Sequence, residues 1–271
     1  MNIIIRLWRS RFNIPRRTFW FIIHHFIIGF SLFKVTVQRQ ENDMNLIGLN
    51  RRHGLEKLNS VLKELFNKQY DERDGMFSEH LVLLASISVS DVVIRNILEI
   101  GTYDGRTARI LSKLFPKAHI LTIDLPSTDE KFESSYNRRG ALDTFVTKRN
   151  KNFTEASNVE FKEMNSLELS KCEETFDLIW IDGAHGYPVI AMDLINSFRL
   201  ANNNGYVLID DIYKTGSESD NMYKSIGGYE ALKSLVDAKL ISSFMLFPKR
   251  LGGIFNYPGG KKYVGLFRKN L

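Results

Sequence analysis

One stretch limits the fold more than any other: an apolar strand that ends at a glycine turn and continues as a helix. Asn96 to Ile100 reads as the strand, Gly101 begins the turn, and Gly105 to Leu114 reads as the helix. Glycine permits backbone angles and close approaches that a Cβ would block. Free N–H groups at a helix start bind carboxylates or phosphates. The stretch therefore predicts an open α/β sheet with a nucleotide-type pocket at the carboxyl end of this strand.

The next apolar strand, Ala118 to Ile123, ends on an acid, Asp124. In nucleotide-binding units an acid about 20 residues after the glycine turn accepts hydrogen bonds from the ribose hydroxyls. A dinucleotide-binding turn would read Gly-x-Gly-x-x-Gly, whereas this turn reads Glu-x-Gly-x-x-x-Gly from Glu99. The spacing therefore predicts a ribose-containing ligand and leaves a nicotinamide-dependent oxidoreductase as the less favoured alternative.

Two later strands also end in acids. The fourth strand leads to Asp182, with His185 three residues later, and the fifth ends at Asp210 and Asp211. Because parallel strands deliver their carboxyl ends to one edge of a sheet, we expect these carboxylates to lie close together. Like charges in contact need a cation or a proton between them. Oxygen ligands favour Mg²⁺ or a similar hard ion over zinc, although Asp211 is equally explained as a cap of the following turn.

Several of these features together resemble the class I S-adenosylmethionine (SAM) methyltransferases. They are the glycine turn that follows Glu99, the acid Asp124 and the strand Phe176 to Asp182. The resemblance covers roughly residues 94–269. It implies an α/β fold with a doubly wound, mostly parallel seven-stranded sheet of the Rossmann-like methyltransferase type. The sheet should end in an antiparallel C-terminal strand pair.

The Asp-Gly-x-His sequence at Asp182 and the Asp-Asp pair are similar to those of metal-dependent sugar and catechol O-methyltransferases. This resemblance implies that Asp182, Asp210 and Asp211 bind the metal, while His185 removes the acceptor proton. The predicted reaction is O-methylation of a hydroxyl on a small molecule or glycan, with Mg²⁺ or with the base alone. An N-methyltransferase without metal and a non-catalytic SAM-binding subunit remain open.

The resemblance also implies which residues contact each part of SAM. Glu99 and the turn from Gly101 to Gly105 would hold the methionine portion, and Asp124 the ribose. Asn165 or Ser166, after the third strand, would contact the adenine. Capping of the next helix explains Ser166 equally well.

The charge distribution and the cysteine content limit which partners and which compartment are expected for the chain. The net charge is +6, but the first 40 residues hold seven of the 37 basic residues and no acid, which leaves 30 basic against 31 acidic residues. Nucleic-acid binding needs a basic stripe on the folded surface, so no nucleic-acid partner is expected. The single Cys172 excludes an internal disulfide and fits a reducing, cytoplasmic compartment.

Residues 1–40 differ in composition from residues 41–271, which we assign to the methyltransferase domain with its leading helices. Arginines precede an apolar run from Phe19 to Phe33 that is shorter than the about 20 residues of a bilayer span. Three interpretations remain: a helix in the membrane interface, a lid or homo-oligomerisation helix packed on the core, and an uncleaved anchor. The first would place the protein at the inner face of a membrane.

A polar segment from Pro126 to Ser157 separates the second and third strands. Its charges are typical of a solvated helix face. Long loops at the ligand end of a sheet also serve as lids, in which case Arg138 and Arg139 would hold an acidic or phosphorylated acceptor.

Overall fold

Seven strands form one sheet in the order β3-β2-β1-β4-β5-β7-β6. The computed structural model describes residues 36–72, 74, 77–137, 140–215, 225–251 and 262–269. The strands are β1 (Asn96–Ile100), β2 (His119–Asp124), β3 (Val159–Glu163), β4 (Phe176–Ile181), β5 (Ala201–Tyr213), β6 (Met245–Pro248) and β7 (Lys262–Arg268). Strands β1 to β5 pair in parallel, and β7 pairs antiparallel with both β5 and β6. The predicted doubly wound sheet with an antiparallel C-terminal pair is confirmed.

The strand order reverses between β1 and β4, which are hydrogen-bonded neighbours. Their carboxyl ends are joined closely, since the N–H of Asp182 donates to the carbonyl of Ile100 at 2.8 Å. In open α/β sheets the crevice at such a switch point is where ligands bind. The two strands therefore bring the glycine turn and Asp182 to the same place.

Helices cover both faces of the sheet, which is why the parallel strands are apolar on both sides. Their bounds are α1 (described over 36–46), α2 (Arg51–Phe66), α3 (Glu79–Ser88), α4 (Arg106–Leu114), α5 (Glu130–Tyr136), α6 (Leu142–Thr154), α7 (Val189–Leu200) and α8 (Gly227–Asp237). Trp180 of β4 packs in one core cluster with residues of α2, α3 and α4. Its neighbour Ile179 packs in a second cluster with residues of α7 and α8. Successive side chains of β4 thus pack into two separate buried layers.

The predicted boundary at residues 40 and 41 lies within α1. The side chain of Gln40 is buried and donates a 2.8 Å hydrogen bond to Oε2 of Glu79, at the start of α3. Arg51 of α2 binds the same carboxylate, so this buried acid ties the first three helices together. Residues 1–35 lie outside the described residues, as do Arg138 and Arg139. Within the described chain, no helix has the length and apolarity that crossing a bilayer demands.

Two local differences from the sequence prediction concern the strands. Asn202 to Gly205 reads as a turn, but these residues belong to β5, and Asn204 adopts a left-handed φ of 62°. The sixth strand is shorter than the predicted Leu240 to Phe247 and begins at Met245. Turn-forming residue types are tolerated in β5 because its first residues lie beside the C-terminal segment, where the N–H of Asn204 donates to the carbonyl of Lys269 at 2.7 Å.

Candidate active site

The glycine turn after β1 is shaped by backbone contact with β4. Gly101 has a φ of +99°, and a Cβ built on it would lie 2.3 Å from the carbonyl oxygen of Asp182. Gly105 has a φ of +72° and caps α4, where a Cβ would lie 2.9 Å from Phe153. No other residue type fits Gly101 without moving backbone, so the approach of the turn to Asp182 requires glycine.

Glu99 lies directly below this turn and is fully buried. Thr122 of β2 donates its hydroxyl to Oε2 of Glu99 at 2.5 Å, and the same hydroxyl lies 2.7 Å from Oγ1 of Thr102 in the turn. Burial raises the pKa of Glu99 to about 8. Glu99, a predicted cofactor-binding residue, is therefore linked to the turn by the hydroxyl groups of Thr122 and Thr102. Its side chain does not line the cavity described below.

Asp124 ends β2 beside the turn, as the sequence predicts. The backbone N–H groups of Tyr103 and Leu125 donate to its two carboxylate oxygens at 3.0 and 2.9 Å. Burial raises the pKa of this carboxyl group. The ring of Tyr103 lies against Tyr136 and Phe145, so helices α5 and α6 of the polar segment form an aromatic cover over this end of the sheet.

Asn165 and Ser166 follow β3 on the far side of Asp124. The side chain of Asn165 accepts a 3.0 Å hydrogen bond from the N–H of Leu167 and caps the short 3₁₀ helix Ser166–Lys171. Ser166, which was the predicted cap, is instead the first residue of this 3₁₀ helix, and Asn165 is its cap.

His185 and Asp182 meet at the carboxyl end of β4. Nε2 of His185 lies 3.6 Å from Oδ1 of Asp182, and the His185 side chain is 11% exposed. Its Nδ1 atom is buried and has no hydrogen-bond partner within the described chain. Burial lowers the pKa of His185, whereas burial and the neighbouring Asp210 raise that of Asp182 well above its ordinary value. The imidazole is therefore neutral near pH 7 and able to accept a proton.

Asp210 and Asp211 lie at the same edge, but each is paired with a lysine. The ammonium group of Lys249 donates to Oδ2 of Asp210 and, at 2.6 Å, to Oδ1 of Asp211. Lys262 donates to the other oxygen of Asp211. Although burial alone would raise it, the Lys249 ammonium holds the pKa of Asp210 well below its usual range.

This arrangement does not fit the predicted divalent ion. Among the described residues, no group of three or more His, Cys, Asp or Glu side chains is placed to hold a metal. Oxygen ligands lie about 2.0–2.6 Å from Mg²⁺ or Ca²⁺, so an ion on these carboxylates would contact the ammonium already between them. We derive no chemical step through a metal.

A cavity of about 50 Å³ lies between the turn and this edge. Its wall includes the turn from Gly101 to Asp104, together with Asp182, Asp210, Lys249 and His80. The His80 ring of α3 stacks on Trp180 of β4, with ring centroids 5.1 Å apart and planes 8° from parallel. Small-molecule pockets typically measure about 300–1,000 Å³, so this cavity accommodates only part of a ligand the size of SAM.

Comparison with known proteins agrees with this geometry. Residues 98–212, somewhat less than half of the chain, match a family model described as a methyltransferase domain. The matched segment begins within β1 and ends within β5, and so spans every acid-tipped strand described above. This segment is therefore similar to a methyltransferase domain. No curated protein sequence matches it.

Several solved structures of low sequence identity are similar to this chain. A candidate O-methyltransferase from Klebsiella pneumoniae is 18% identical with a TM-score of 0.50, and the match covers 82% of this chain and 90% of that chain. The O-methyltransferase TomG from Streptomyces achromogenes, solved with SAM, is 18% identical with a TM-score of 0.48, covering 86% and 98%. An O-methyltransferase family protein from Burkholderia thailandensis is 12% identical with a TM-score of 0.46, covering 69% of this chain and 55% of that chain.

Sequence reasoning missed two residues of the methyltransferase site, Lys249 and His80. Lys249 follows β6, well after the acids it binds, and no local pattern links a lysine to distant aspartates. His80 lies in α3, an almost wholly buried helix whose apolar spacing indicates a helix over the cofactor cleft, with packing as the role of most of its residues. A polar residue within such an apolar helix was the one available signal.

Proposed function

We propose that this methyltransferase transfers the methyl group of SAM to a hydroxyl oxygen on a small molecule or glycan, with His185 as the general base. The observation that carries the proposal is the His185–Asp182 pair at the switch point. A hydroxyl is a poor nucleophile at neutral pH, and a buried neutral imidazole next to Asp182 of the cavity wall can remove its proton. Asp182, at 3.6 Å from Nε2, would orient the ring.

Bound SAM supplies an electrophilic methyl group on a sulfonium ion. The chain's part is to bind, align and deprotonate. The turn from Gly101 to Gly105, supported by Glu99, would receive the methionine portion. Asp124 would accept from the ribose hydroxyls, and the segment at Asn165 and Ser166 would border the adenine.

The acceptor oxygen would lie near Asp182 and His185. It forms a bond to the methyl carbon while the carbon–sulfur bond breaks, and its proton passes to His185. The products are a methyl ether and the neutral thioether of the cofactor, and the histidinium returns its proton to water. The resulting cycle needs no other reactant.

Isotopically labelled SAM, incubated with the protein and a small-molecule cell extract, tests the proposal by mass spectrometry. The expected product gains one labelled methyl group on oxygen. His185→Ala should cut turnover by about 10²-fold or more while calorimetric SAM affinity stays near wild type. His119→Ala, at a half-exposed surface histidine, is the matched control and should retain full turnover.

Unchanged turnover of His185→Ala would remove the base from the mechanism. A labelled methyl group on nitrogen would move the enzyme to the N-methyltransferases while leaving its dependence on SAM intact.

A further inference from the structure

The ammonium group of Lys249 occupies the position between two consecutive aspartates at the active-site edge. It donates to Asp210 and Asp211, and the side chains involved are nearly buried: 13% exposed for Lys249, 4% for Asp210 and 11% for Asp211. An ion pair this far from solvent is weakly screened, and removal of either partner leaves an uncompensated charge. Lys249 also belongs to the cavity wall, together with Gly101 and Asp182.

The backbone places Lys249 at this edge through the C-terminal strand pair. β6 runs antiparallel to β7, which runs antiparallel to β5, so β6 and β5 end at the same edge of the sheet. Lys249 follows the last residue of β6. Its N–H donates to the carbonyl of Lys262 at 3.0 Å, and its carbonyl accepts from the N–H of Glu79 at 3.1 Å. The position of the lysine is therefore fixed on both sides.

Two adjacent strand residues reach the same ammonium because β5 is irregular there. Successive strand side chains normally point to opposite faces of a sheet. The pairing of β5 with β7 shifts register between Ile209 and Ile212, and Asp211 adopts a φ of 52°. This left-handed conformation is strained for a non-glycine residue. The irregularity turns both carboxylates towards Lys249.

We propose that Lys249 supplies from within the chain the positive charge that a divalent ion was expected to provide, and that it donates a hydrogen bond to the acceptor oxygen. The proposal rests on the O-methylation proposed above. Among the described residues, Asp210 and Asp211 accept two of the three ammonium hydrogens, which leaves one available to a ligand in the cavity that Lys249 lines. With Lys262 included, two ammonium groups balance two carboxylates.

In this role Lys249 keeps its proton throughout the reaction. As the acceptor proton passes to His185, negative charge develops on the oxygen, and a fixed ammonium beside it stabilises that charge without rearrangement. The bond changes remain those of the methyl transfer itself. The acidic pair holds the ammonium in place, so Asp210 and Asp211 act as positioning residues.

Titration with Mn²⁺ alone tests whether Lys249 takes the place of a divalent ion, and it needs no acceptor. Titration of the full chain with Mn²⁺, followed by electron paramagnetic resonance, should show no stoichiometric binding. One Mn²⁺ per chain that is lost in Asp210→Asn would overturn the proposal. Labelled methyl transfer to the extract acceptor should likewise persist in excess chelator, and a loss that Mg²⁺ reverses would overturn it.

Substitution of the lysine tests the second half of the proposal. Lys249→Met should lower turnover by about 10²-fold with calorimetric SAM affinity unchanged, and Lys249→Arg should restore part of the loss. Lys262→Met is the matched control, because Lys262 is 30% exposed and, among the described acids, forms an ion pair with Asp211 and not with Asp210; its effect should be smaller. Wild-type turnover of Lys249→Met would overturn the proposal.

If Lys249→Met does not fold, the turnover of Lys249→Arg and the manganese titration still test the proposal. Absence of SAM binding by the wild-type chain would defeat the proposed function instead, and the manganese result would still report on Lys249.

Discussion

The backbone N–H of Tyr103 donates a 3.0 Å hydrogen bond to Oδ2 of Asp124. The bond joins the turn after β1 to the end of β2, and it holds Tyr103 at a φ of 50°, which costs a non-glycine residue about 1–2 kcal/mol. The hydroxyl of Tyr136 also donates to Oδ2 at 3.5 Å, whereas Oδ1 accepts from the N–H of Leu125 and keeps a lone pair for a ligand. Asp124 thus shapes the turn and remains able to accept hydrogen bonds from a ribose.

Asp124→Ala should weaken SAM binding by several-fold or more, because it removes the acceptor for the ribose hydroxyls and for the turn. Asp124→Asn keeps one acceptor oxygen and should lose less. Isothermal titration calorimetry with SAM measures both. Asp91→Asn, at an exposed acid before β1, is the control and should match wild type. Wild-type affinity in both Asp124 variants would contradict the assignment of the ribose site.

The free energy of unfolding should fall as the pH rises, because of Glu99. Its pKa is about 8 in the folded chain, against 4.5 ordinarily. Below about pH 4.5 both states hold the proton and the contribution is fully present. Between about pH 4.5 and 8 the unfolded state releases the proton while the folded state retains it, so stability is lost across that window.

Urea denaturation at pH 5 and pH 8 checks this dependence. Glu99→Gln should flatten the difference between the two pH values, since the amide does not titrate. Glu56→Gln, at an exposed position of α2, should leave the difference unchanged. Equal pH dependence in wild type and Glu99→Gln would show that Glu99 is ionised when buried.

Gly101→Ala should destabilise the fold as well as the cofactor site. The new Cβ would lie 2.3 Å from the Asp182 carbonyl oxygen, in addition to the strain of a positive φ. Gly48→Ala isolates the second effect, because Gly48 has a φ of +76° and nothing within 4 Å of the added atom. Gly48→Ala should cost about 1–2 kcal/mol in urea denaturation, and Gly101→Ala clearly more. Equal losses would refute the contact argument.

A chain that starts at Glu41 should be less stable than one that starts at Thr36. The shorter chain loses Gln40, whose amide donates to the buried Glu79 carboxylate. Loss of a hydrogen bond to a buried charged group costs about 1–3 kcal/mol. Thermal unfolding of both chains measures the difference, and Gln40→Ala in the longer chain should reproduce most of it. Equal stability would support the predicted boundary between residues 40 and 41.

The strands that carry the site could be read from the sequence because apolar runs and their terminal acids are local signals. The helix Val189–Leu200 and the strand Lys262–Arg268 were predicted with the bounds that the structure has. Asp124, Asp182 and His185 were placed at strand ends for the same reason. Their ligand roles stay predictions.

The remaining features depend on contacts between distant parts of the chain. Neither periodicity nor spacing indicates that Lys249 pairs with Asp210, because the pairing arises only when β7 pairs with both β5 and β6. The same holds for Glu99, which reads as a cofactor residue but is buried against Thr122. The residue types of Asn202 to Gly205 are typical of a turn and led to that prediction. In the structure these residues belong to β5, because the surrounding fold overrides the local preference.

The stacking of His80 on Trp180 gives the molecule a natural optical reporter. The full sequence contains three tryptophans, at positions 8, 20 and 180. A chain that begins at Thr36 keeps the last of these alone, and its indole lies directly behind a ring that lines the cavity. Emission from one chromophore would then follow events in the cleft in real time. Rates of cofactor entry and release thus become accessible by stopped flow, with no dye attached and no acceptor known.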